Sequence, residues 1–383
     1  MDRQQVWILR GLNLGLYFTM GVLQPFLPLY FSMKGYNPAE IGLFMVAGPF
    51  LAVFSQPLWG FVSDRLRSVK GIVISLWIMS VLCSIWLFHA EGFWMTLLAV
   101  SALFFFKMPS LPLMDSAAVL VSQEAGVSYG SIRLWGSIGF AVVSIASGYL
   151  IVFAGGIGNI PFLYWSFWVL PLILIFFLKD RQAAAKPIHL RSLKEVVGKE
   201  FAWLLFIVLL ISSAHRASDS LLPVFLESLG GTEEMVSWAF GLAALFEIAA
   251  FVIVPRFLGR FHELGLLAIA ASLYSIRWLL YSLIGNPAVI MALQVLHAAT
   301  FGIYWIVLIQ YVGRIVPQHF RSTGIAVMTA VHGGVAALIG GYGGGLVMDR
   351  FGADVMYWVG AIFAGTGAVL LFISRWRQKI RSA

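Results

Sequence analysis

The sequence predicts an all-α integral membrane protein with twelve transmembrane helices, arranged as two six-helix halves related by pseudo-symmetry. The 383 residues are 60% apolar and only 11% charged, whereas soluble domains carry about 25% charged residues. Apolar runs of roughly 20 residues, the length that crosses a bilayer core, recur along the chain. One hydrophilic segment lies near its middle. A water-soluble enzyme of one or two domains is thereby excluded.

Six apolar runs occupy the first half of the chain. Their connections are short and polar and contain glycine, proline or asparagine, residues that interrupt helices and form turns, as at Gly35-Tyr36-Asn37-Pro38. We therefore predict spans 1 to 6 at 6–31, 38–62, 69–88, 92–121, 129–153 and 159–178.

The second half begins after the sizeable hydrophilic segment, which runs from Lys179 to Phe201. Six further apolar runs follow it. We predict spans 7 to 12 at 202–227, 233–254, 264–284, 287–312, 322–347 and 353–374. The predicted domains are an N-terminal six-helix bundle at 1–178, a cytoplasmic linker at 179–201 and a C-terminal six-helix bundle at 202–383.

A weak internal repeat relates the two halves. Leu27-Pro28-Leu29-Tyr30 matches Leu222-Pro223-Val224-Phe225 at an offset of 195 residues, and each is followed by a glycine at the same distance. The offset superimposes span 1 on span 7 and span 2 on span 8. Transporters built from two such parallel repeats hold their substrate between the halves, near the membrane midplane.

The positions of lysine and arginine predict the orientation. Most of the 25 cationic residues lie on one side of the predicted spans, at the N-terminus, in the central linker, after spans 2, 8 and 10 and in the tail, whereas Lys34 and Arg350 lie on the other side. Loops rich in these residues are cytoplasmic. We therefore expect a multi-pass protein of the cell (inner or plasma) membrane with both termini in the cytoplasm. The net charge of +8 then reflects topology rather than binding to nucleic acid.

Ionisable residues inside the predicted spans are the candidate site. Each costs about 2.5–3.5 kcal/mol at the centre of a membrane helix, so such residues normally face a cavity or a charged partner. Besides histidines, they are Lys107, Asp115, Arg133, Arg216, Asp219, Glu247 and Arg277. His297 joins them in span 10.

Asp115 and Arg133 are the predicted solute-binding pair. A carboxylate and an arginine supply acceptors and donors in a directional form, which a polar solute requires. Trp135 and Phe140 are the predicted apolar walls of this site. The alternative is a buried structural pair that joins spans 4 and 5. Lys107, beside a Met-Pro step, either stabilises a broken helix or holds a substrate anion.

Glu247 is the predicted proton-coupling group, modulated by Arg277 and His297. The protonation of a buried carboxylate depends on burial and on neighbouring charges, and histidine titrates near neutral pH. Glu247 lies mid-span without a partner nearby in sequence. Asp219 and Arg216 are assigned to the same site, although at i and i+3 they could simply neutralise each other. His297 could instead be a packing histidine that bonds one neighbour.

Gly60-Phe61-Val62-Ser63-Asp64-Arg65 lies in the predicted loop between spans 2 and 3. It resembles the G-x-x-x-D-R signature of the major facilitator superfamily, at the position that family uses. Together with twelve spans and a central linker, it identifies the chain as similar to that superfamily. The resemblance implies that Gly60, Asp64 and Arg65 are gating residues. A charge pair that merely sets topology is the alternative.

Spans 4 and 5 resemble those of lactose permease and its phenylpropionate-permease relatives. In lactose permease an acidic residue of helix 4 and an arginine of helix 5 bind the sugar with the separation of Asp115 and Arg133 here, and the stacking tryptophan falls on Phe140. The chain also matches that family at Glu247, at Ser275-Ile276-Arg277 and at Leu296-His297.

Two positions depart from the lactose permease pattern. Thr300 stands where that family has a carboxylate associated with proton transfer, and Gln294 stands where it has a lysine. The stretch from Gln294 to Phe301 and that from Tyr129 to Gly136 are more similar to the phenylpropionate-permease relatives. The identity of the solute therefore stays open at this stage.

We predict a proton-coupled secondary active transporter, a symporter that imports a small organic solute by alternating access. The solute is a sugar or an aromatic carboxylate. The proton gradient supplies the energy, and no cofactor is expected. The expected partners are the solute, protons and the lipid bilayer, with the protein acting as a monomer. The alternative is a proton-coupled antiporter that exports drugs or metabolites.

Other function classes lack their sequence motifs. An enzyme could use His297 and His332 with a carboxylate, but the chain contains no H-E-x-x-H and no histidine pair at ligand spacing. Cys83 is the single cysteine, which excludes a CxxC motif. An ATP-driven pump is disfavoured because no G-x-x-x-x-G-K-[ST] loop occurs. We therefore expect neither catalytic residues nor a metal site.

Overall fold

Twelve helices that are long and apolar enough to cross a membrane make up the computed structural model, which describes residues 2–180 and 198–382. In chain order they are α1 (Arg3–Met33), α2 (Pro38–Leu66), α3 (Val69–His89), α4 (Phe93–Ala125), α5 (Tyr129–Phe153), α6 (Ile157–Phe177), α7 (Lys199–Ser228), α8 (Glu233–Arg256), α9 (Glu263–Leu283), α10 (Pro287–Ile315), α11 (Thr323–Phe351) and α12 (Ala353–Ile380). The described residues contain no strand. The predicted all-α fold with twelve spans is confirmed.

The end of α2 differs from its prediction. The apolar run ends near residue 62, but the helix continues to Leu66 because backbone hydrogen bonding extends past the apolar segment. Asp64 and Arg65 therefore belong to the last turn of α2 rather than to a loop, which corrects the prediction. The helix stops at Arg67, whose φ of 55° is uncommon for a residue with a side chain.

The span α4 is interrupted in its middle. Regular helix runs over Phe93–Lys107 and resumes at Ser110–Ala125, with Met108 and Pro109 between them. Proline has no N–H to donate and its ring clashes with the preceding turn, so a helix breaks at such a position. The interruption places Lys107 at the end of one helical piece and Asp115 in the next.

The spans α10 and α11 contain wider, π-helical turns. In α10 the π-helical turn covers Ala298–Gly302, and in α11 two such turns cover Val331–Val335 and Leu338–Gly343. Such turns are rare and occur frequently at functional sites. Both helices carry histidines at or beside these turns, namely His297 and His332.

The chain forms two compact units. Unit 1 comprises Met1–Tyr36, Phe44–Lys186 and Thr232–Gly241, and unit 2 comprises Asn37–Leu43, Pro187–Gly231 and Leu242–Ala383. The predicted division into 1–178 and 202–383 stays a prediction. Most of the predicted linker at 179–201 lies outside the described residues, because these stop at 180 and resume at 198.

Glycines allow close helix packing within each unit. In unit 1, a Cβ added to Gly139 of α5 would come within 2.7 Å of the carbonyl oxygen of Leu14 in α1. In unit 2, a Cβ on Gly340 of α11 would overlap the carbonyl oxygen of Ser213 in α7. Such close approach is the usual role of small residues between membrane helices. It brings the polar side chains of α1 and α5, and those of α7 and α11, into reach of one another.

Candidate functional site

Unit 1 brings together the predicted solute-binding pair. Asp115 comes from the second helical piece of α4 and Arg133 from the second turn of α5. The Nε atom of Arg133 lies 3.7 Å from Oδ1 of Asp115, and the two side chains are 32% and 39% exposed. The pair is close enough for an ionic interaction, yet it remains open to a solute.

Tyr17 of α1 orients the arginine of this pair. Its hydroxyl accepts a hydrogen bond from Nη2 of Arg133, and the guanidinium carbon lies 4.4 Å from the centre of its ring. The other terminal nitrogen, Nη1, is buried and has no hydrogen-bond partner among the described residues. Arginine donates in a fixed planar fork, so the contact with Tyr17 also fixes the direction of this unpaired donor. Tyr17 was not predicted as a site residue because it carries no charge.

The predicted apolar walls lie in different places. Phe140 follows Arg133 by two turns of α5 and therefore lies on the same helix face. Trp135 is only two residues from Arg133, and side chains at that spacing do not face each other on a helix. Its ring packs edge-on against Trp7 of α1, with centroids 6.0 Å apart. The structure thus places Phe140, but not Trp135, on the face of the binding pair.

Lys107 is enclosed in unit 1, away from Asp115 and Arg133. Its side chain is 0% exposed. The ammonium donates to Thr19 Oγ1 at 2.6 Å and to the Tyr164 hydroxyl at 3.1 Å. It also lies 4.9 Å and 5.0 Å from the ring centres of Tyr164 and Trp168. These contacts favour the structural alternative, in which Lys107 joins α1, α4 and α6 next to the interruption of α4.

Unit 2 brings together Glu247, Arg277 and His297, three of the five residues of the predicted proton site. The Nε2 atom of His297 lies 3.5 Å from Oε2 of Glu247, and its Nδ1 atom lies 3.3 Å from Nη1 of Arg277. An arginine nitrogen can only donate, so Nδ1 accepts and Nε2 carries the hydrogen that points to the carboxylate. His297 therefore connects Arg277 to Glu247, which do not bond directly in this arrangement.

Arg277 is held by neutral groups. Its Nε donates to the Tyr281 hydroxyl at 2.8 Å, and Nη1 donates to Thr300 Oγ1 at 3.2 Å. Its Nη2 donates to the side-chain oxygen of Gln294. Only 3% of Arg277 is exposed. Thr300 and Gln294 are the two residues that depart from the lactose permease pattern. Both accept a hydrogen bond from Arg277.

Asp219 of α7 has two partners on its own helix. Its Oδ2 lies 3.4 Å from Nη1 of Arg216 and 3.3 Å from Nε2 of His215. Arg216 also donates from Nε to the carbonyl oxygen of His332 at 3.3 Å. The neutralising pair considered for Arg216 and Asp219 is thus formed, with a histidine added to it.

Two further histidines lie in the same cluster. The rings of His215 and His297 both pack against Phe301, with centroid distances of 4.9 Å and 5.2 Å, and they lie 5.9 Å from each other. His332 lies 6.0 Å from His215, and its Nδ1 is 2.7 Å from the hydroxyl of Ser212. We refer to His215, His297, His332 and Phe301 as the ring cluster.

His215 was not predicted from the sequence, and His332 was predicted only as a candidate residue of an enzyme site. A signal for His215 exists in its spacing of four residues from Asp219, which places both on one helix face. No comparable signal exists for His332, because a π-helical turn of α11 presents it. Among the residues that the structure describes, no group of three or more histidine, cysteine or acidic side chains could hold a metal ion.

The model of the MFS_1 like family matches residues 6–359 of the chain. The chain belongs to this family. Maltose permease of Geobacillus stearothermophilus is similar to it, with 27% identity over 372 residues that cover 95% of this chain and 93% of that protein. The Escherichia coli (strain K12) protein named "Probable 3-phenylpropionic acid transporter" is 24% identical over 360 residues, which cover 91% of this chain and 92% of that protein.

A solved structure shares the fold of this MFS_1 like protein. The crystal structure of nucleoside transporter NupG matches with a TM-score of 0.84 at 18% identity, and the match covers 96% of this chain and 98% of that one. The family and these relatives are membrane transporters. The protein is therefore a multi-pass membrane transporter of the major facilitator superfamily and not an enzyme.

The signature of the MFS_1 like protein lies at the end of α2. Asp64 and Arg65 are exposed, and a Cβ on Gly60 would meet nothing within 4 Å. Beyond the signature, the carboxylate of Asp180 accepts hydrogen bonds from the hydroxyl of Ser68 and, at 3.0 Å, from the backbone N–H of Lys70. Asp180 thus satisfies a free N–H group at the start of α3. This role of Asp180 at the start of α3 was not predicted from the sequence.

Proposed function

We propose that this transporter is a proton-coupled symporter that imports a small organic solute, a sugar or an aromatic carboxylate. The observation that carries the proposal is the environment of Glu247. Its carboxylate lies 3.5 Å from a histidine whose other ring nitrogen faces an arginine. A carboxylate inside a membrane protein that is bonded to an imidazole is a suitable group to take up a proton.

The other two carboxylates of the site each contact an arginine. Asp115 lies 3.7 Å from Arg133, and Asp219 lies 3.4 Å from Arg216. An arginine in contact stabilises the ionised form of a carboxylate. Glu247 has no such arginine contact, because the imidazole of His297 lies between its carboxylate and Arg277. Protonation neutralises the carboxylate and thereby removes a charge whose burial in a water-free site is unfavourable.

The solute-binding group of the proposal is the pair Asp115 and Arg133 with Tyr17 and Phe140. The carboxylate and the free Nη1 donor of Arg133 suit the hydroxyl groups of a sugar, and the same guanidinium suits a carboxylate. The relatives named for maltose and for 3-phenylpropionic acid support both solute classes. Asp64 and Arg65 are proposed as gating residues at the cytoplasmic end of α2, in a cell-membrane protein with cytoplasmic termini that works as a monomer.

Uptake into proteoliposomes tests the function. Radiolabelled maltose, 3-phenylpropionate and a nucleoside are offered in parallel under an imposed pH gradient, acidic outside. We expect accumulation of one of the first two solutes against its own gradient, and its loss when a protonophore removes the pH gradient. Accumulation that ignores the gradient contradicts symport. Solute that leaves when the outside is acidic supports the antiporter.

The variant Glu247→Gln tests the proton site. Glutamine cannot take up a proton, so we expect accumulation to fall to the level without a gradient. Exchange of internal for external solute does not require net proton movement and should persist. Glu234→Gln, in the first turn of the same helix α8, is the matched control and should accumulate normally. Full accumulation by the Glu247 variant would remove this residue from the mechanism.

A further inference from the structure

The three imidazoles of the ring cluster differ in what their nitrogen atoms face. An imidazole that takes up a proton carries an N–H on both nitrogens, and a buried one then needs two hydrogen-bond acceptors. The structure allows each histidine to be compared with this requirement.

His297 does not meet the requirement. Its Nδ1 atom lies 3.3 Å from Nη1 of Arg277, which is a donor and carries positive charge. A proton on Nδ1 would place two donors against each other and a second positive charge beside the first. The contact therefore assigns the ring hydrogen to Nε2, directed at Glu247, and offers no acceptor for a second hydrogen on Nδ1.

His215 meets the requirement. Its Nε2 atom lies 3.3 Å from Oδ2 of Asp219, and its Nδ1 atom lies 3.3 Å from the hydroxyl of Tyr274. A carboxylate is an acceptor, and a tyrosine hydroxyl can accept as well as donate. Both N–H groups of a protonated His215 would thus be bonded without any movement of the ring.

His332 meets it in part. Its Nδ1 atom lies 2.7 Å from the hydroxyl of Ser212, which can accept. Its backbone carbonyl, however, is bonded to Arg216, so a guanidinium lies close by. His332 also lacks a carboxylate such as the one that faces His215.

The charges around His215 come from every helix packed against it. Asp219 and Arg216 belong to α7, Arg277 and Tyr274 to α9, His297 and Tyr304 to α10, and His332 to α11. Glu247 of α8 acts on it through His297. The two arginines and the burial of His215, which is 5% exposed, oppose a positive charge, and the Asp219 carboxylate favours it.

We propose that His215 is a second proton-binding group of the coupling site, alternative to Glu247, and that His297 stays neutral. The proposal rests on the proposed function. A hydronium ion gives up a proton as its O–H bond breaks and a water molecule leaves, an N–H bond forms on the unprotonated ring nitrogen of His215, and the resulting imidazolium pairs with Asp219. Occupation alternates with that of Glu247 because two added protons would leave the positive charges of both arginines uncompensated.

Nitrogen NMR of the imidazole rings tests the proposal without a solute. The protein is labelled with ¹⁵N-histidine and carbonyl-¹³C alanine or leucine and is placed in lipid nanodiscs. His215 is the one histidine that follows alanine and His297 the one that follows leucine, so each is assigned without a substitution. On acidification from pH 8 to pH 5, we expect both ring nitrogens of His215 to become protonated, while His297 keeps its hydrogen on Nε2. Titration of His297 with an unchanged His215 would overturn the proposal.

Transport by the variant His215→Gln gives a second test. We expect the pH dependence of uptake to move by about one pH unit, which corresponds to a tenfold change in proton affinity. Solute exchange should be retained, whereas a purely structural role would lower exchange and uptake together. His262→Gln, at the exposed start of α9, is the control. A wild-type profile in the His215 variant, with accumulation lost in Glu247→Gln, would refute this inference and leave the proposed function intact.

Discussion

At the residue scale, the three carboxylates of the site differ in the side chains that they contact. Asp115 and Asp219 each contact an arginine, whereas Glu247 contacts an imidazole. Arg277, in turn, donates hydrogen bonds to hydroxyl and amide oxygens. These oxygens satisfy its N–H groups but carry no negative charge to compensate the guanidinium. His297 links Arg277 to the negative charge of Glu247, one imidazole away. Protonation of Glu247 therefore changes the electrostatic balance of an arginine that it does not touch.

Tyr17→Phe tests whether the orientation of Arg133 matters for solute binding. The change removes the hydroxyl that accepts from the guanidinium and keeps the ring beneath it. A hydrogen bond to a charged group contributes about 1.5–3 kcal/mol, so we expect KM to rise by roughly tenfold or more. Tyr149→Phe, at an exposed position of α5, should leave KM unchanged. An unaltered KM in the Tyr17 variant would mean that Arg133 does not depend on this contact.

Lys107→Met decides between the two roles considered for Lys107. Methionine cannot donate the hydrogen bonds that the ammonium makes to the hydroxyls of Thr19 and Tyr164, and a hydrogen bond that involves a charged group contributes about 1.5–3 kcal/mol. For the structural role we therefore expect a lower thermal midpoint and an unchanged KM, measured by thermal unfolding in detergent and by uptake. Thr19→Val, which removes one of the two hydroxyl partners, is the companion variant. A large rise in KM for an anionic solute would restore Lys107 to the binding site.

The candidate site could be predicted from the sequence only where it is charged. Asp115, Arg133, Glu247 and Arg277 were identified because a charge in a membrane helix is costly and therefore conspicuous. Tyr17 was not identified, since tyrosines are common in such helices and its role depends on how α1 packs on α5. The Trp135 assignment relied on proximity in sequence, whereas on a helix its side chain points away from Arg133.

Irregular helix geometry controls the position of functional side chains at the element scale. The span positions were predictable because the length of an apolar run determines whether it crosses a bilayer. The interruption of α4 coincides with a proline and has a visible sequence cause. The π-helical turns of α10 and α11 contain glycines, such as Gly333-Gly334 and Gly340-Gly341, which lower helix propensity but do not by themselves specify a π-helical turn. These turns carry Phe301 and His332 of the ring cluster.

Gly340→Ala tests the close contact between α11 and α7. The added methyl group would overlap the backbone carbonyl of Ser213, which cannot rotate away. Overpacking of this kind typically costs about 1–3 kcal/mol, so we expect a lower thermal midpoint and reduced transport. Gly343→Ala, where an added Cβ meets nothing within 4 Å, is the control from the same π-helical turn. Equal midpoints for the two variants would show that α7 and α11 adjust to the methyl group.

The polar groups are divided between the two units at the scale of the whole molecule. Among the side chains of the candidate site, unit 1 holds one carboxylate–arginine pair and, apart from it, an enclosed lysine, and unit 2 holds two carboxylates, two arginines and three histidines. The formal charges of Asp219 and Glu247 balance those of Arg216 and Arg277. Unit 1 therefore offers fixed donors and acceptors, while unit 2 offers groups whose charge can change.

The orientation of the chain is tested with reporters at two positions. Because lysine and arginine concentrate on one side of the spans, we expect green fluorescent protein fused after Ala383 to fluoresce in the cytoplasm. Alkaline phosphatase fused after Lys34, on the opposite side, should be active, since that enzyme requires export. Phosphatase activity at the C-terminus together with none after Lys34 would invert the topology and place Asp64 and Arg65 outside the cell.

The π-helical turns of α10 and α11 also determine how these helices tolerate insertion and deletion. A π-helical turn accommodates one residue more than an α-helical turn, and each residue rotates an α-helix by about 100°. Deleting one residue within Ala298–Gly302 would let α10 close into regular helix and would rotate its two ends relative to each other. Relatives whose α10 is regular should therefore align with a single-residue gap inside a membrane span, where gaps are otherwise rare. Such a gap would therefore identify relatives in which α10 presents the residue equivalent to Phe301 in a different direction.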